Sequence, residues 1–508
     1  MAIALPTASL RANAIANFVG QISVALISLF FVPLYIQQIG VESYGVIGFF
    51  AALQAMLSVL DFGLGATLNR QVAILSATAP SRLANTVRTL EWVYMPCSLL
   101  IAVSTLLMSG WLAKNWVRPS TLSVADVSDG IALLGLAMAL QWPAVFHSAG
   151  IAGLQRQILL NVLKVAFALA GSLGCLLVLM TVPTLSAYAS WQALVATAQS
   201  IIFALIFWRI LPTSKVAPRF RLEELKRNWR FAGGILAGTL VSLVLTQADK
   251  VVLSRALSLE AFGHYSIAAA LAAVLYRLSQ PILNAAGPSY AQLAAANRTT
   301  DLARQYHLTN QVMALVLVPP TVLGAVFSTE LVLAWSRNQE LTNSVAPIFQ
   351  ILVLSAGMHS LMNLPYALQL AHGWVRLSLY INLASIAGVI PMFVYLGTRF
   401  GGVGAAYTWL ALTTVYVLIG VPLMHRRLLR GETRRWYLHD IAPALVASVG
   451  VCGISAVAIH TIPLGRASWP ALCLIYLFSV GASAALTPDL RRLIRRLVER
   501  RHFRWKST

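Results

Sequence analysis

Arg277, Gln280 and Asn284 fall within the stretch "YRLSQPILN", inside a long apolar run. At about 100° per residue, Gln280 lies about 300° and Asn284 about 340° around a helix from Arg277. The three therefore share one stripe. A guanidinium keeps its charge, and its planar fork can take two oxygens of a phosphate group. Charges inside membrane-crossing helices are costly and turn toward cavities or partners, so this stripe is a candidate lining for a wet path. The structural alternative is an arginine paired with a carbonyl or carboxylate of a neighbouring helix.

A second polar set interrupts an apolar run at "LDFGLGATLNRQVA" (60–73). Asp61 is a candidate wall residue, gate, or proton or sodium site; the plainer account is a carboxylate wetted near its helix end. Arg70 lies nine residues on, about 180° around and about 13 Å along a straight helix, so the two are not an intrahelical pair. Gly63 and Gly65 would let that helix bend. Asn69 and Arg70 sit near the expected inner interface, where a cation could attract a lipid phosphate or simply snorkel. Arg156, with Gln155 and Lys164, opens the apolar segment that follows "GLQRQ"; much of that signal is orientation bias. Asp249 and Lys250 are expected to end a helix as a gate or an ion pair. Glu91 is expected at a helix N-terminus, where a carboxylate is favoured. The nine histidines show no metal-site spacing, and the four cysteines lie singly in apolar runs. No catalytic residue, metal or cofactor is assigned.

These residues need a frame of helices. The chain has 508 residues, 58% hydrophobic and only 10% charged, with a mean hydropathy of +0.75; a soluble domain carries about 25% charged residues. Apolar runs of about 20 residues predict an all-α polytopic membrane protein with about 14 transmembrane helices: 12–36, 44–68, 89–112, 130–153, 158–181, 186–209, 231–250, 263–290, 306–328, 345–368, 376–397, 402–424, 439–461 and 468–486. Pro143 and Pro365 blur two of the boundaries. Of the 37 Lys and Arg residues, 29 fall on one side of this topology, 7 on the other, and Arg277 inside a span. The richer side is cytoplasmic by the positive-inside rule, which places both termini there. The net charge of +21 thus belongs to a membrane surface and not to nucleic-acid binding. Segments 220–232 and 488–505 read as basic amphipathic helices on an anionic leaflet. Trp335, Trp436 and Trp469 read as interfacial belt residues.

The chain also repeats itself. "ESYGVIGFFAAL" (42–53) matches "EAFGHYSIAAAL" (260–271) at an offset of 218, and Asn161 and Asn382 are 221 apart. A near-constant offset across six spans indicates a duplicated six-helix unit with parallel topology. The expected organisation is a lobe at 1–210, a basic linker at 211–230, a second lobe at 231–425, two further helices in 426–487 and a basic tail at 488–508. Under the offset Asp61 corresponds to Ser279, two residues from Arg277, which matches depth but not facing.

With "DFGLGATLNRQVA", "GLQRQILLN", "ADKVVLSRALSLEAFGHYSIAAAL", "PILNAAGPSYAQL", "NLPYALQLAHG" and "GGVGAAYTWLA" in this order, the chain resembles Wzx-type polysaccharide flippases of the MOP exporter superfamily. The resemblance implies a V-shaped fold of two pseudo-symmetric lobes plus two C-terminal helices, and alternating access. It implies transfer of an undecaprenyl-pyrophosphate-linked oligosaccharide across a bacterial inner membrane for O-antigen or exopolysaccharide assembly. Anionic lipids and the polymerase and chain-length machinery are the candidate partners. In the related lipid II flippases the two added helices form a groove for the lipid tail. Two alternatives remain at this stage. A MATE-like cation-coupled multidrug antiporter would favour carboxylates and aromatics in its site. A membrane-embedded polysaccharide-modifying enzyme would need larger outer loops.

Overall fold

Glycine decides where several of these apolar runs stop being helix. The computed structural model describes residues 10–212, 218–374, 376–461, 468–489 and 491–492. Among them there is no strand. The chain forms two compact units, Met1–Ser266 and Ile267–Thr508.

Unit one holds α1 (Leu10–Leu57), α2 (Leu64–Thr78), α3 (Pro80–Asn115), α4 (Val124–Gly153), α5 (Gln157–Thr181), α6 (Leu185–Ile210) and α7 (Leu222–Ala256), and the start of α8 (Leu259–Ala272). A 48-residue α1 would run about 72 Å if straight, more than twice the hydrocarbon thickness. Gly40, at φ 78°, breaks it; a side chain there would be strained. Ser123 and Thr184 cap α4 and α6, accepting from the backbone N–H of Asp126 and Ala187 at 3.0 and 3.2 Å. Pro143 lies inside an unbroken α4.

Unit two continues with α9 (Val274–Ala295), α10 (Thr299–Val326), α11 (Ser328–Ser336), α12 (Gln339–Leu361), α13 (Asn363–Ala371), α14 (Arg376–Val415), α15 (Val421–Arg427), α16 (Thr433–Arg435), α17 (Ala442–Thr461) and α18 (Trp469–Leu486). Non-helical Gly401 (φ 60°) divides α14 as Gly40 divides α1. The α17–α18 hairpin packs on α10.

Eleven helical stretches of the described residues are long and apolar enough to cross a membrane. Two of them, Ile15–Asp61 and Tyr380–Arg427, contain the broken glycines. Counting a crossing on each side of these glycines, and adding the 35-residue α7, accommodates fourteen. The protein is a multi-pass membrane protein.

Residues 220–232 differ from the expected surface helix. From Leu222 they are the first turns of α7 itself, held against α2 and α3. Glu224 is buried and takes Arg82 in a two-pronged pair, Nε–Oε1 2.6 Å and Nη2–Oε2 2.9 Å. Thr86 donates to the same carboxylate at 3.1 Å, and Gln71 donates to Asn228 at 2.6 Å. A buried carboxylate needs such partners, and the apolar pattern alone does not reveal them. The tail at 488–505 lies outside the described residues beyond Arg492.

The two repeat segments pack against each other with equivalent residues opposed. A Cβ on Gly45 would sit 2.3 Å from the Leu259 carbonyl oxygen, one on Gly263 2.7 Å from the Val41 carbonyl oxygen, and one on Gly48 2.5 Å from the Ser266 hydroxyl. Val41 and Leu259, Gly45 and Gly263, and Gly48 and Ser266 are each 218 apart. Only glycine permits this backbone approach. Gly45→Ala is therefore expected to cost about 1–3 kcal/mol, read as a lowered thermal midpoint in detergent. Gly450→Ala, with open space around its Cβ position, is expected to leave the midpoint unchanged or raise it.

Candidate functional site

The stretch around Asp61 is a break between helices. A short 3-10 turn, Ser58–Asp61, is followed by Phe62 at φ 48° and Gly63 at φ 69°. This break resets the helical phase, so the 180° separation of Asp61 and Arg70 on a straight helix does not apply. The Asp61 carboxylate accepts the Gly65 N–H at 3.1 Å and so caps the start of α2. The buried Tyr94 hydroxyl lies beside the Asp61 carboxylate and interacts with it.

Asn69 donates to the Ala149 carbonyl at 3.2 Å and ties α2 to α4. Arg70, one residue on, is exposed. Arg156 caps α5 through its backbone, and Gln155 before it has φ 58°. Asp249 and Lys250 lie inside α7, which continues to Ala256, and so do not end that helix. Asp249 is buried and accepts the Tyr265 hydroxyl at 2.5 Å, while Lys250 donates to Gln247 at 3.0 Å.

Arg277 lies in the first turn of α9, midway along the apolar stretch Leu259–Ala295 and four residues after a one-residue break at Ala273. Leu275, Ser279, Ala286 and Tyr290 form the buried face of α9. Arg277 and Asn284 are exposed and Gln280 half-buried, on the other side. Among the described residues Arg277 makes no ion pair. Ser279, the repeat equivalent of Asp61, accepts from Asn363 at 2.8 Å and joins α9 to α13. Asp61 belongs to unit one and Arg277 to unit two.

Four further polar networks are not evident from the sequence. Glu42 is buried at the start of the repeat motif. Its carboxylate accepts the backbone N–H groups of Ser120, Thr121 (2.8 Å) and Leu122 (3.2 Å), and the Thr121 hydroxyl. It fastens the loop after α3 to α1, and Trp116 of that loop donates to Ser254 at 3.1 Å. Its repeat counterpart Glu260 is exposed.

Glu91 lies three turns inside α3, not at its start. It is buried and meets His147 Nε2 at 3.0 Å, Arg88 at 2.8 Å and the Trp208 indole N–H at 3.4 Å. The other ring nitrogen of His147 meets the Pro143 carbonyl at 2.7 Å.

In unit two, His307 is fully buried between Asp440 (2.5 Å) and Glu432 (3.0 Å). Gln311 bridges Asp440 and Asp489 at 3.0 and 2.9 Å. This network fastens the α17–α18 hairpin to α10. Trp436, expected at the interface, is instead buried within it and donates to Asn310 at 3.0 Å.

The fourth group is a row of amides. Gln54 of α1 donates to Gln141 of α4 at 3.4 Å, and Gln141 donates to Gln199 of α6 at 3.3 Å. With Gln192 and Tyr188 they line a cavity of about 200 Å³ inside unit one. A larger cavity of about 390 Å³ lies along α14, against Gly388, Met392, Thr408 and Leu412, and is almost wholly apolar. Among the described residues no group of three His, Cys, Asp or Glu side chains is placed to hold a metal ion.

Comparison with known proteins adds the following. The family described as polysaccharide biosynthesis protein matches residues 39–338, more than half the chain. A candidate O-antigen transporter of Shigella flexneri is 21% identical over 412 residues, covering 79% of this chain and 94% of that protein. Among solved structures, the lipid II flippase MurJ in an inward closed conformation aligns with a TM-score of 0.70 at 10% identity, covering 95% of this chain and 99% of that one. An inward-facing multidrug resistance MATE family transporter of the MOP superfamily aligns with a TM-score of 0.64 at 14% identity, covering 82% and 98%. At these identities the structural likeness concerns the fold, and it is the MOP-type helical fold that the resemblance implied.

Proposed function

This chain belongs to the polysaccharide biosynthesis protein family, and from that premise we propose that it is a flippase for lipid-linked glycan. The cargo is an undecaprenyl-pyrophosphate-linked oligosaccharide repeat unit. It crosses the bacterial inner membrane by alternating access, for O-antigen or exopolysaccharide assembly. In this reading both termini face the cytoplasm, the orientation that the Lys and Arg asymmetry favours. The protein transports and does no covalent chemistry. The relatives support this reading through their names: one a candidate O-antigen transporter, another a lipid II flippase.

The observation that carries the proposal is Arg277. A cation in the middle of an apolar crossing, exposed and without an ion pair among the described residues, is what a pyrophosphate would need there. Gln280 and Asn284 continue its face with neutral donors and acceptors. Arg70 and Arg156 would meet the anionic headgroup at the cytoplasmic mouth, and the polyprenyl tail would stay in lipid. Asp61 serves as the gate or the proton or sodium site. Asp249 is the second candidate for that role, with Lys250 beside it. Anionic lipids hold the basic surface, and the polymerase and chain-length machinery receives the cargo.

The test in cells is accumulation. A strain that makes the glycan but lacks this protein is expected to retain the lipid-linked unit where it is synthesised, inaccessible to a periplasmic glycosidase. Complementation should restore access. Unchanged glycan export in the deletion strain, with resistance to lipophilic cations conferred by expression, would instead establish the antiporter alternative.

A further inference from the structure

We propose that the amide-lined cavity of unit one binds an uncharged sugar ring of the glycan. This rests on the flippase reading for its biological ligand, although the recognition chemistry stands by itself. The cavity is a half-open recess between α1, α4 and α6. Its polar lining is Gln54, Gln141, Gln192, Gln199 and Tyr188, and no charged side chain lines it.

A carboxamide donates and accepts at the same time. So does a sugar hydroxyl, which makes glutamine a natural partner for a ring carrying several hydroxyls. Tyr188 adds an aromatic face, suited to the C–H face of a pyranose, and is held edge-on by Tyr35 at 5.7 Å. The volume of about 200 Å³ is on the scale of one hexose.

The competing account is that these amides only glue helices together. The bonds between them argue otherwise. At 3.3 and 3.4 Å they are long, and there are only two. They engage one N–H of Gln54, one N–H and the carbonyl of Gln141, and the carbonyl of Gln199. The Gln54 carbonyl, the Gln199 N–H groups and the second N–H of Gln141 remain for a ligand or water. Gln192 stands apart from the row and donates to the Tyr188 hydroxyl. Placing four amides within apolar crossings is costly unless their polar atoms are met, and these three bonds do not meet them all.

The absence of charge from the lining sets the specificity. A pyrophosphate, a uronic acid or a lipophilic cation would give up part of its hydration there and meet no counter-charge. A neutral hexose or its N-acetylated form enters without that cost. The cavity thus divides the work with Arg277: charge is handled on α9 in unit two, and neutral sugar in unit one.

The test is direct binding, independent of transport. The purified full-length protein in lipid nanodiscs is titrated with a neutral methyl dihexoside and, separately, with the matching dihexoside carrying one hexuronic acid. Saturation-transfer NMR reads the bound fraction. The expected result is saturable binding of the neutral sugar, at least tenfold weaker binding of the acidic one, and about a tenfold loss in Gln141→Leu and in Gln199→Leu. Gln192→Leu breaks neither amide–amide bond and so tests the cavity without disturbing the row; it is expected to weaken binding similarly. No binding by wild type, equal binding of the two sugars, or wild-type binding by folded Gln192→Leu overturns the proposal. A protein that binds the neutral sugar but flips no lipid-linked glycan would refute the flippase reading and leave the sugar site standing.

Discussion

Arg277→Ala is expected to reduce flipping of a pyrophosphate-linked glycan by more than a hundredfold while leaving the amount and thermal midpoint of the protein unchanged. The magnitude follows from the contact. Hydrogen bonds to a charged group are worth about 1.5–3 kcal/mol each, and a guanidinium gripping two phosphate oxygens loses about 3 kcal/mol or more on truncation, a little over two decades. Stability should not follow, because the side chain is exposed and forms no ion pair among the described residues. Arg277→Lys keeps the charge and loses the fork, so about a tenfold loss is expected. Gln280→Leu and Asn284→Leu each remove one neutral partner and should cost up to tenfold. If alanine and lysine both support wild-type flipping at normal expression, Arg277 has no role in substrate passage.

His307→Ala should act on stability instead. It leaves Asp440, in the turn just before α17, facing a void beside α10. Removing one member of a buried ionic pair typically costs about 3–5 kcal/mol. The double variant His307→Ala/Asp440→Asn is expected to recover part of that loss, because the stranded charge is gone and the two changes are not additive. Two readouts follow: the thermal midpoint, and tryptic cleavage at Arg426, Arg427, Arg430, Arg434 and Arg435, which lie before the hairpin. The single variant should be cleaved faster than the double. A single variant as stable and as protease-resistant as wild type would show that the network does not fasten the hairpin.

The helices were legible because hydrocarbon thickness imposes a length on every apolar run. The glycines at 40 and 401 separate runs that are each long enough to cross alone. The repeat was legible as well, and the close approach of Gly45 and Gly263 explains why both copies keep a glycine there. The start of α7 was not legible. Its charged residues resemble a surface helix until Glu224 is seen to meet Arg82, 142 residues earlier in the chain. Glu91 and His147 are separated by 56 residues and Gln54 and Gln141 by 87, and no local pattern in an apolar segment pairs side chains so far apart. A weak local signal did exist. Gln192 and Gln199 are two turns apart on one face of α6, a polar stripe of the same kind as Arg277, Gln280 and Asn284 on α9. Uncharged amides do not stand out against orientation charges, so the stripe with the arginine attracted attention and the stripe without it did not.

The central claim is that this protein moves a lipid-linked glycan between leaflets. The most direct measurement reconstitutes the purified protein into sealed vesicles loaded on one leaflet with fluorescent undecaprenyl-pyrophosphate oligosaccharide. A membrane-impermeant quencher or glycosidase then follows its arrival on the other leaflet. Transfer well above protein-free vesicles, reduced more than a hundredfold by Arg277→Ala, is the predicted result. Transfer no faster than in protein-free vesicles, with correctly folded protein present, would contradict the account.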